Sequence, residues 1–381
     1  MAKLTLIATA TFGLEAVVKR EVEALGFKVL KSEDAKITYM GDERALVKSN
    51  LWLRSADRVL LLMGEFKALS FEELFQQTRA LPWEEWIPID GKFTVNGTSV
   101  KSKLHSVPDC QSIVKKAIVE RLKETYAVDR FEETGALYNI KVTILKDRVT
   151  LTIDTSGAGL HKRGYRVKDV AAPIKETLAA AMVQLSFWKE GRLLADPFCG
   201  SGTIPIEAAM IGRNIAPGLS RKFVSEDWDA IPANLWKEER KAAFEAIRYD
   251  ADIRIRASDI SRTAVRAAVA NAEEAGVDDC IEFSVRPVSK LRAEEPYGIL
   301  IGNPPYGERI GEAEAIHGIY EDLKRFFAEN PTWSLYLVTS DKQFEQRFRE
   351  KPADRRRKLY NGRIEICYYQ YYGAKPTKAE K

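Results

Sequence analysis

The chain has 381 residues, a length that suits two or three domains rather than one. Hydrophobic residues make up 45% and charged residues 30%, a balance typical of globular proteins that argues against a disordered chain. The net charge of +4 does not by itself identify a nucleic-acid partner. No apolar run is long enough to span a membrane, and residues 1–10 lack the apolar core of a signal peptide, so we expect a cytoplasmic protein.

The cysteines and histidines argue against a metal centre. Cys110, Cys199, Cys280 and Cys367 lie far apart and form no C-x-x-C pair, and the three histidines lack metal-ligand spacing. We therefore expect neither a zinc site nor a disulfide framework, which suits a reducing compartment.

Residues 1–66 alternate between strand and helix patterns and predict a small α+β unit. Its elements are a strand at 4–7, a helix at 14–25, a strand at 36–40, a helix at 43–53 and a strand at 59–66. Residues 67–155 form a second α+β stretch. Its elements are a strand at 93–95, a helix at 108–126 and a hairpin of strands 138–145 and 148–154. The glycine-containing, basic segment 156–170 is the predicted linker.

From residue 171 to 373, strands alternate with helices, which predicts a mostly parallel sheet covered by helices on both faces. The predicted strands are 192–198, 253–260, 281–285, 298–302 and 334–339. Asn361-Gly362 then marks a hairpin within 358–372. A Rossmann-like parallel sheet that closes in an antiparallel hairpin is the α/β fold of class I methyltransferases. Residues 374–381 are expected to be a disordered tail.

The segment DPFCGSGT at 196–203 follows an apolar strand and begins a helix. Ligands of open α/β sheets bind beyond the carboxyl ends of the strands, and the N–H groups of a helix N-terminus suit a carboxylate such as that of methionine. Glycines let the loop approach a ligand, and the first Asp can accept hydrogen bonds from an ammonium group. Pro205 replaces the third glycine of a dinucleotide fingerprint, and the Gly-Lys-Ser/Thr of a P-loop is absent.

Asp259 ends the next strand, where an acidic side chain can bind both ribose hydroxyls of a nucleoside. The competing interpretation is a cap of the following helix, and both roles can coexist. The predicted cofactor-binding residues from these two motifs are Asp196, Phe198, Gly200, Ser201, Gly202, Thr203, Asp259 and Ile260.

The predicted catalytic residues are Asn303, Pro304, Pro305 and Tyr306, which follow the apolar strand at 298–302. The lone pair of an exocyclic amine is delocalised into the base, so the amine is a poor nucleophile. The Asn303 side-chain carbonyl and the Pro304 backbone carbonyl can accept its N–H groups and orient the lone pair. The prolines stiffen the turn and so pre-position these acceptors. Tyr306 offers a ring on which a flipped base can stack.

These motifs resemble the THUMP-domain class I methyltransferases, and among them the bacterial 23S rRNA guanine-N2 methyltransferases of the RlmL/YpsC type. The resemblance covers nearly the whole chain. It depends on DPFCGSGT, on Ser258-Asp259, on NPPYGER at 303–309, on HKRGYR at 161–166, on APIKETLA at 172–179 and on IAPG at 215–218.

The resemblance implies an S-adenosylmethionine (SAM) cofactor, an RNA substrate and a ferredoxin-like piece before a THUMP RNA-binding domain that begins between residues 45 and 67. It also implies that Pro173 and Thr177 lie against the cofactor. Arg286-Pro287 stands where many class I enzymes carry an acidic residue, which leaves the adenine contact open; the Val285 backbone could supply it.

Three basic clusters beside an enzyme core favour a polyanionic partner. The candidate phosphate contacts are Lys101, Lys103, Lys115, Lys116, Arg163 and Arg166. For each of these cations a solvated surface is an equally good interpretation.

The NPPY tetrad also serves N6-adenine methylation of DNA and glutamine methylation of protein, so the residues alone leave the substrate open. A DNA enzyme would need a target-recognition insert, for which only 213–252 is available. A glutamine methyltransferase would be expected to have a helical N-terminal domain. Guanine over adenine, and ribosomal over transfer RNA, depend on the resemblance. A non-catalytic RNA-binding ribosome assembly factor would be expected to lose Asp196, Asn303 or the glycines, and all are present.

Overall fold

The computed structural model describes residues 3–168, 173–305, 312–348, 352–362 and 364–375. Its contacts divide the chain into two compact units. The first unit comprises residues 1–10, 18–160 and 221–242, and the second comprises 11–17, 161–220 and 243–381. The sequence predicted domains that follow one another along the chain. In the contact-based division, by contrast, the first unit includes residues 221–242 and the second includes residues 11–17. Within the described residues, we find no helix whose length and hydropathy would let it cross a membrane.

The first unit is built on a seven-stranded sheet with the order β2-β3-β1-β4-β7-β6-β5. All neighbours are antiparallel except β5 and β6, which run parallel. The strands are β1 (Leu4–Ala10), β2 (Lys28–Glu33), β3 (Lys36–Gly41), β4 (Ala56–Lys67), β5 (Lys92–Val100), β6 (Leu137–Leu145) and β7 (Arg148–Asp154). The helices in this part of the sequence are α1 (Glu15–Ala24), α2 (Glu43–Trp52), α3 (Phe71–Arg79) and α4 (Val107–Tyr126).

Local chemistry explains where these helices begin. The Asp42 side chain accepts the Ala45 N–H at 2.8 Å and caps α2, and Ser70 caps α3 by accepting from Glu73 N. The predicted hairpin between β6 and β7 is confirmed, with Lys146 and Asp147 in the turn at positive φ. Strand β2 and helix α3 were not predicted.

The second unit contains a seven-stranded sheet with the order β10-β9-β8-β11-β12-β14-β13, in which only β14 runs antiparallel to its neighbours. The predicted α/β fold with a closing antiparallel hairpin is thus confirmed. The strands are β8 (Leu194–Asp196), β9 (Ile255–Asp259), β10 (Ile281–Val285), β11 (Ile299–Gly302), β12 (Ser334–Thr339), β13 (Arg355–Asn361) and β14 (Ile364–Tyr371). The helices are α5 (Glu176–Leu185), α6 (Thr203–Gly212), α7 (Ala233–Glu245), α8 (Arg262–Glu274), α9 (Glu312–Glu329) and α10 (Phe344–Phe348).

The strand order reverses at the centre of this sheet. From β8 the chain proceeds outward to β9 and β10, and it then returns to place β11 and β12 on the other side of β8. Such a switch point opens a crevice at the carboxyl ends of the two central strands. Ligand-binding residues are therefore expected directly after β8 and β11.

Residues 221–242, expected to be a loop and helix of the second half, instead belong to the first unit. Trp228 stacks on Tyr138 with ring centroids 4.8 Å apart and packs edge-on against Trp86. Its indole N–H donates to the Leu137 carbonyl at 3.0 Å. Because this segment completes a hydrophobic core, it is not free to act as a target-recognition insert.

We predict that Trp228→Ala lowers the free energy of unfolding by about 3–5 kcal/mol, because it leaves a large cavity in a packed core. Urea denaturation followed by circular dichroism measures the change. Phe244→Ala, at a side chain that is 59% exposed, is the matched control and should change stability by less than about 0.5 kcal/mol. Equal effects of the two substitutions would contradict the assignment of 221–242 to the core.

Candidate active site

The loop after β8 is a tight turn with glycine at two left-handed positions. Gly200 and Gly202 have φ values of +53° and +84°, in the left-handed region. A Cβ on Gly202 would lie 3.0 Å from the Cβ of Ala268 on α8. Gly202 also occupies the N-cap position of α6, so this helix begins directly after the loop. This geometry fits the anion-binding site predicted from the sequence.

Asp259 ties the loop to the neighbouring strand. Its Oδ2 accepts the Gly200 N–H at 3.0 Å, and its Oδ1 accepts the Ser261 N–H at 2.8 Å. The cap of α8 is Ser261, whose hydroxyl accepts from Ala264 N, so the capping role considered for Asp259 falls to its neighbour. Ile260, beside this carboxylate, exposes 75% of its surface.

The end of β11 lies directly beside the loop. Strands β8 and β11 are parallel, with Leu300 opposite Ala195. A Cβ on Gly302 would lie 2.9 Å from the Phe198 ring, so this glycine lets the ring close on the strand. Asn303 follows, partly buried, with Pro304 buried and Pro305 exposed. Tyr306 lies outside the described residues.

Asp196 is a buried carboxyl group with an unused acceptor. Its Oδ1 accepts the Phe198 N–H at 3.0 Å, whereas its buried Oδ2 has no hydrogen-bond partner among the described residues. Burial raises the pKa of this carboxyl to about 8, and the negative charge of Asp259 adds to the rise, against the Phe198 hydrogen bond. A buried acceptor without a partner is costly, so Oδ2 fits a cationic donor such as the ammonium group of a ligand.

Cys199, within the loop, does not act as a nucleophile in this arrangement. Burial, together with the charges of Asp196 and Asp259, raises the pKa of its thiol far above the usual range. No group of three or more His, Cys, Asp or Glu side chains in the described parts of the chain is arranged to hold a metal ion.

Arg163 and Arg166 do not lie on an open surface, contrary to their prediction as phosphate contacts. The Arg163 side chain is 2% exposed and forms an ion pair with the fully buried Glu207 of α6. Arg166 bonds to Glu176, Ser201 and Thr203, with 16% of its side chain exposed. Both cations are used inside the second unit, so neither is available to an RNA phosphate in this structure.

Pro173 and Thr177 lie at the start of α5, Pro173 exposed and Thr177 buried. Pro173 lines a cavity of about 380 Å³, together with His161, Lys162, Lys175 and Glu176. A second cavity of about 360 Å³ lies at the opposite edge of the sheet, where β9 and β10 begin. Only the first of these cavities is next to a predicted cofactor-binding residue.

The remaining candidate phosphate contacts are exposed in the first unit. Lys101 and Lys103 follow β5, and Lys115 and Lys116 lie on α4. The Nζ of Lys115 lies 5.6 Å from the centre of one aromatic ring, and that of Lys116 lies 5.9 Å from another. The sequence prediction missed three further exposed cations at the end of the sheet where Lys101 and Lys103 lie. These are Lys67, Lys146 and Arg148, which the pairing of β4 with β7 and the β6–β7 turn bring together.

Three family models match the chain in sequence order. The model for the RlmL ferredoxin-like domain matches residues 5–60, the THUMP domain model matches 68–154, and the RMKL-like methyltransferase domain model matches 163–370. The last of these covers more than half of the chain.

Two curated relatives match almost the whole chain. A Bacillus subtilis protein described as "Putative RNA methyltransferase YpsC" is 51% identical over 374 residues, which cover 98% of this chain and 97% of the relative. The "Ribosomal RNA large subunit methyltransferase K/L" of Syntrophotalea carbinolica is 32% identical over 413 residues. That match covers 99% of this chain but 56% of the relative, so the chain spans little more than half of it.

Two solved structures are similar over their full length. A Listeria monocytogenes protein described as a "predicted N6-adenine-specific DNA methylase" has a TM-score of 0.94 at 50% identity, covering 98% of this chain and 97% of the other. The structure of SMU.472, described as "a putative methyltransferase complexed with SAH", has a TM-score of 0.93 at 41% identity, covering 99% of this chain and 100% of the other.

If Asp196 accepts a ligand ammonium, SAH should bind more tightly as the pH rises from 6 to 8. The carboxyl, whose pKa in the folded chain is about 8, is mostly protonated at pH 6, and binding must first remove that proton. We expect a gain of up to about tenfold in affinity per pH unit, measured by titration calorimetry. Asp196→Asn should abolish this dependence, whereas Asp252→Asn, at an exposed carboxylate, should keep it. A flat profile for the unchanged protein would contradict the assignment.

Proposed function

Because the chain belongs to the RMKL-like methyltransferase family, we propose that it methylates the exocyclic N2 amine of a guanine in 23S rRNA. The chain is a SAM-dependent RNA methyltransferase, so the predicted family and cofactor are confirmed. The observation that supports methylation of an exocyclic amine is the position of Asn303 and Pro304, whereas the choice of guanine and of 23S rRNA is supported by the family and the name of the K/L relative. Asn303 and Pro304 follow β11, on the strand next to β8 and its glycine loop.

The proposed cofactor site is the carboxyl edge of β8 and β9. The methionine carboxylate fits the N-terminus of α6, its ammonium fits the unpaired Oδ2 of Asp196, and the ribose hydroxyls fit Asp259. The cofactor supplies an electrophilic methyl group when bound. Since the Asp259 oxygens already accept two backbone N–H groups, the carboxylate is held in a fixed orientation before any ligand arrives.

The proposed catalytic role of Asn303 and Pro304 is to hold the target amine. Their carbonyl oxygens accept its two N–H groups and turn the nitrogen lone pair toward the transferred methyl. Holding the two N–H groups in place contributes more to the rate here than a strong base would, because the amine can lose its proton after attack. Tyr306 and Pro305 complete the tetrad in the sequence, and Tyr306 is proposed to stack on the base.

Guanine and adenine both present an exocyclic amine that this pair of acceptors can hold. The name of the K/L relative, which refers to large-subunit rRNA, supports the ribosomal target. The name of the Listeria structure favours N6-adenine methylation as the second candidate. N2-guanine methylation of tRNA uses the same site chemistry. The product nucleoside separates guanine from adenine methylation, and the RNA fraction that carries it separates rRNA from tRNA.

The proposed RNA surface is the basic end of the sheet in the first unit, within the segment that matches the THUMP domain. Lys101 and Lys103 lie at this end, and Lys115 and Lys116 on α4 are proposed to extend the surface. Their charges could neutralise backbone phosphates without reading the sequence. We propose that the protein acts in the cytoplasm, where ribosomal RNA is available.

We predict that Asn303→Ala lowers the methyl-transfer rate at least about 100-fold, because one of the two acceptors is lost. SAH affinity should stay within about twofold, since the loop and Asp259 are intact. The assay is incubation of the purified protein with rRNA and SAM, followed by mass spectrometry of the nucleosides. Asp259→Ala should instead weaken SAH binding, because it removes the proposed ribose contact. Asn234→Ala, an exposed amide, is the control, and normal turnover by Asn303→Ala would refute the catalytic assignment.

We predict that Lys101→Ala combined with Lys103→Ala weakens RNA binding and reduces the slope of log affinity against log salt by roughly 1.5–2. Filter binding at several salt concentrations measures this slope. Lys28→Ala is the matched control, because it lies on β2, about 29 Å across the sheet from β5 at six strand spacings. If the control variant lost as much affinity as the double variant, the basic end would not be the RNA surface.

A further inference from the structure

Residues 163–168, which we call the strap, are bonded throughout to the elements that carry the glycine loop. The strap begins at Arg163, whose guanidinium pairs with Glu207 on α6, and Tyr165 donates its hydroxyl to the same carboxylate at 3.1 Å. Gly164 between them has a φ of +109°, which turns both side chains inward. The sequence predicted a basic linker at 156–170, but Arg163 and Tyr165 within it bind this segment to α6.

Arg166 reaches the loop itself. Its Nη1 donates to Ser201 Oγ and its Nη2 to Thr203 Oγ1, both at 3.0 Å, while its Nε donates to Glu176. A guanidinium is a donor only, so both hydroxyl oxygens act as acceptors toward it. Neither hydroxyl donates a hydrogen bond to any other group in the described residues. Each therefore keeps its O–H proton for an acceptor that arrives at the N-terminus of α6.

Asn271 on α8 holds the loop from the other side. Its buried amide donates to the carbonyls of Ser201 and Lys168, both at 3.0 Å. Its oxygen accepts the N–H groups of Val167 and Lys168, also at 3.0 Å. All four bonding positions of this amide are used, so the strap and the loop share one fully satisfied side chain.

We propose that Arg166 and Asn271 are positioning residues for SAM, and that Arg166 makes the loop hydroxyls donors toward the methionine carboxylate. Arg166 donates hydrogen bonds to Glu176, Ser201, Thr203 and the Ile174 carbonyl, all in the second unit, and these bonds hold it away from RNA. The inference depends on the SAM site of the proposed function and not on which base or RNA is methylated.

The test compares Arg166→Met, Arg166→Lys and Asn271→Asp with Arg266→Met, a matched loss of charge at an exposed position on α8. SAH affinity is measured by calorimetry without RNA, and KM is measured separately for SAM and for RNA. Arg166→Met should weaken SAH binding roughly tenfold or more and raise KM for SAM, with KM for RNA unchanged. Arg166→Lys keeps the charge but not the fork, so it should recover only part of the affinity.

Asn271→Asp removes two donors and leaves the Ser201 carbonyl facing a carboxylate. It should weaken SAH binding, whereas Arg266→Met should bind SAH normally. Thermal unfolding with saturating SAH separates misfolding from loss of affinity, because a folded variant still gains stability from bound ligand. Unchanged SAH affinity in Arg166→Met would overturn the proposal. A rise in KM for RNA alone would also overturn it and would restore Arg166 as a phosphate contact. Since SAH binding requires no RNA, a wrong target assignment would leave these results unaffected.

Discussion

The hydrogen bond from Gly200 N to Asp259 Oδ2 is the constraint on which the active site depends. Strands β8 and β9 are parallel neighbours, so their carboxyl ends meet at one edge, and this bond fixes the glycine loop to that edge. The same carboxylate also receives the Ser261 N–H and so leads the chain into α8. One side chain thereby orients the loop, the start of a helix and a proposed ribose contact.

Close to that hydrogen bond, the burial of an unpaired carboxyl oxygen costs free energy that a bound ligand would offset. Asp196 is buried with one oxygen unpaired, and its raised pKa expresses the price of ionising it there. A core built for stability alone would place an apolar residue at this position. A buried carboxyl group at this position fits a site for a zwitterionic ligand, because it lies next to the helix N-terminus that Arg166 and Asn271 hold in place.

The sequence predicted most of what local patterns encode. Strands 281–285 and 334–339 were placed to the residue, and the motifs at β8 and β11 were placed at the carboxyl edge. Where long-range packing decides, prediction failed. The segment HKRGYR at 161–166 is a basic cluster in the sequence. Only the fold shows that Arg163 is buried in an ion pair with Glu207. The sequence position of 221–242 likewise cannot reveal that Trp228 completes a core by stacking on Tyr138, 90 positions earlier.

The proposed activity is methylation of guanine N2 in the large ribosomal RNA. The most direct measurement is mass spectrometry of nucleosides from separated rRNA and tRNA of cells that lack the gene, compared with the parent strain. We expect loss of N2-methylguanosine from the large rRNA, at a position that fragment mapping then identifies. An unchanged set of methylated nucleosides in both RNA fractions, or loss of N6-methyladenosine instead, would contradict the proposed activity.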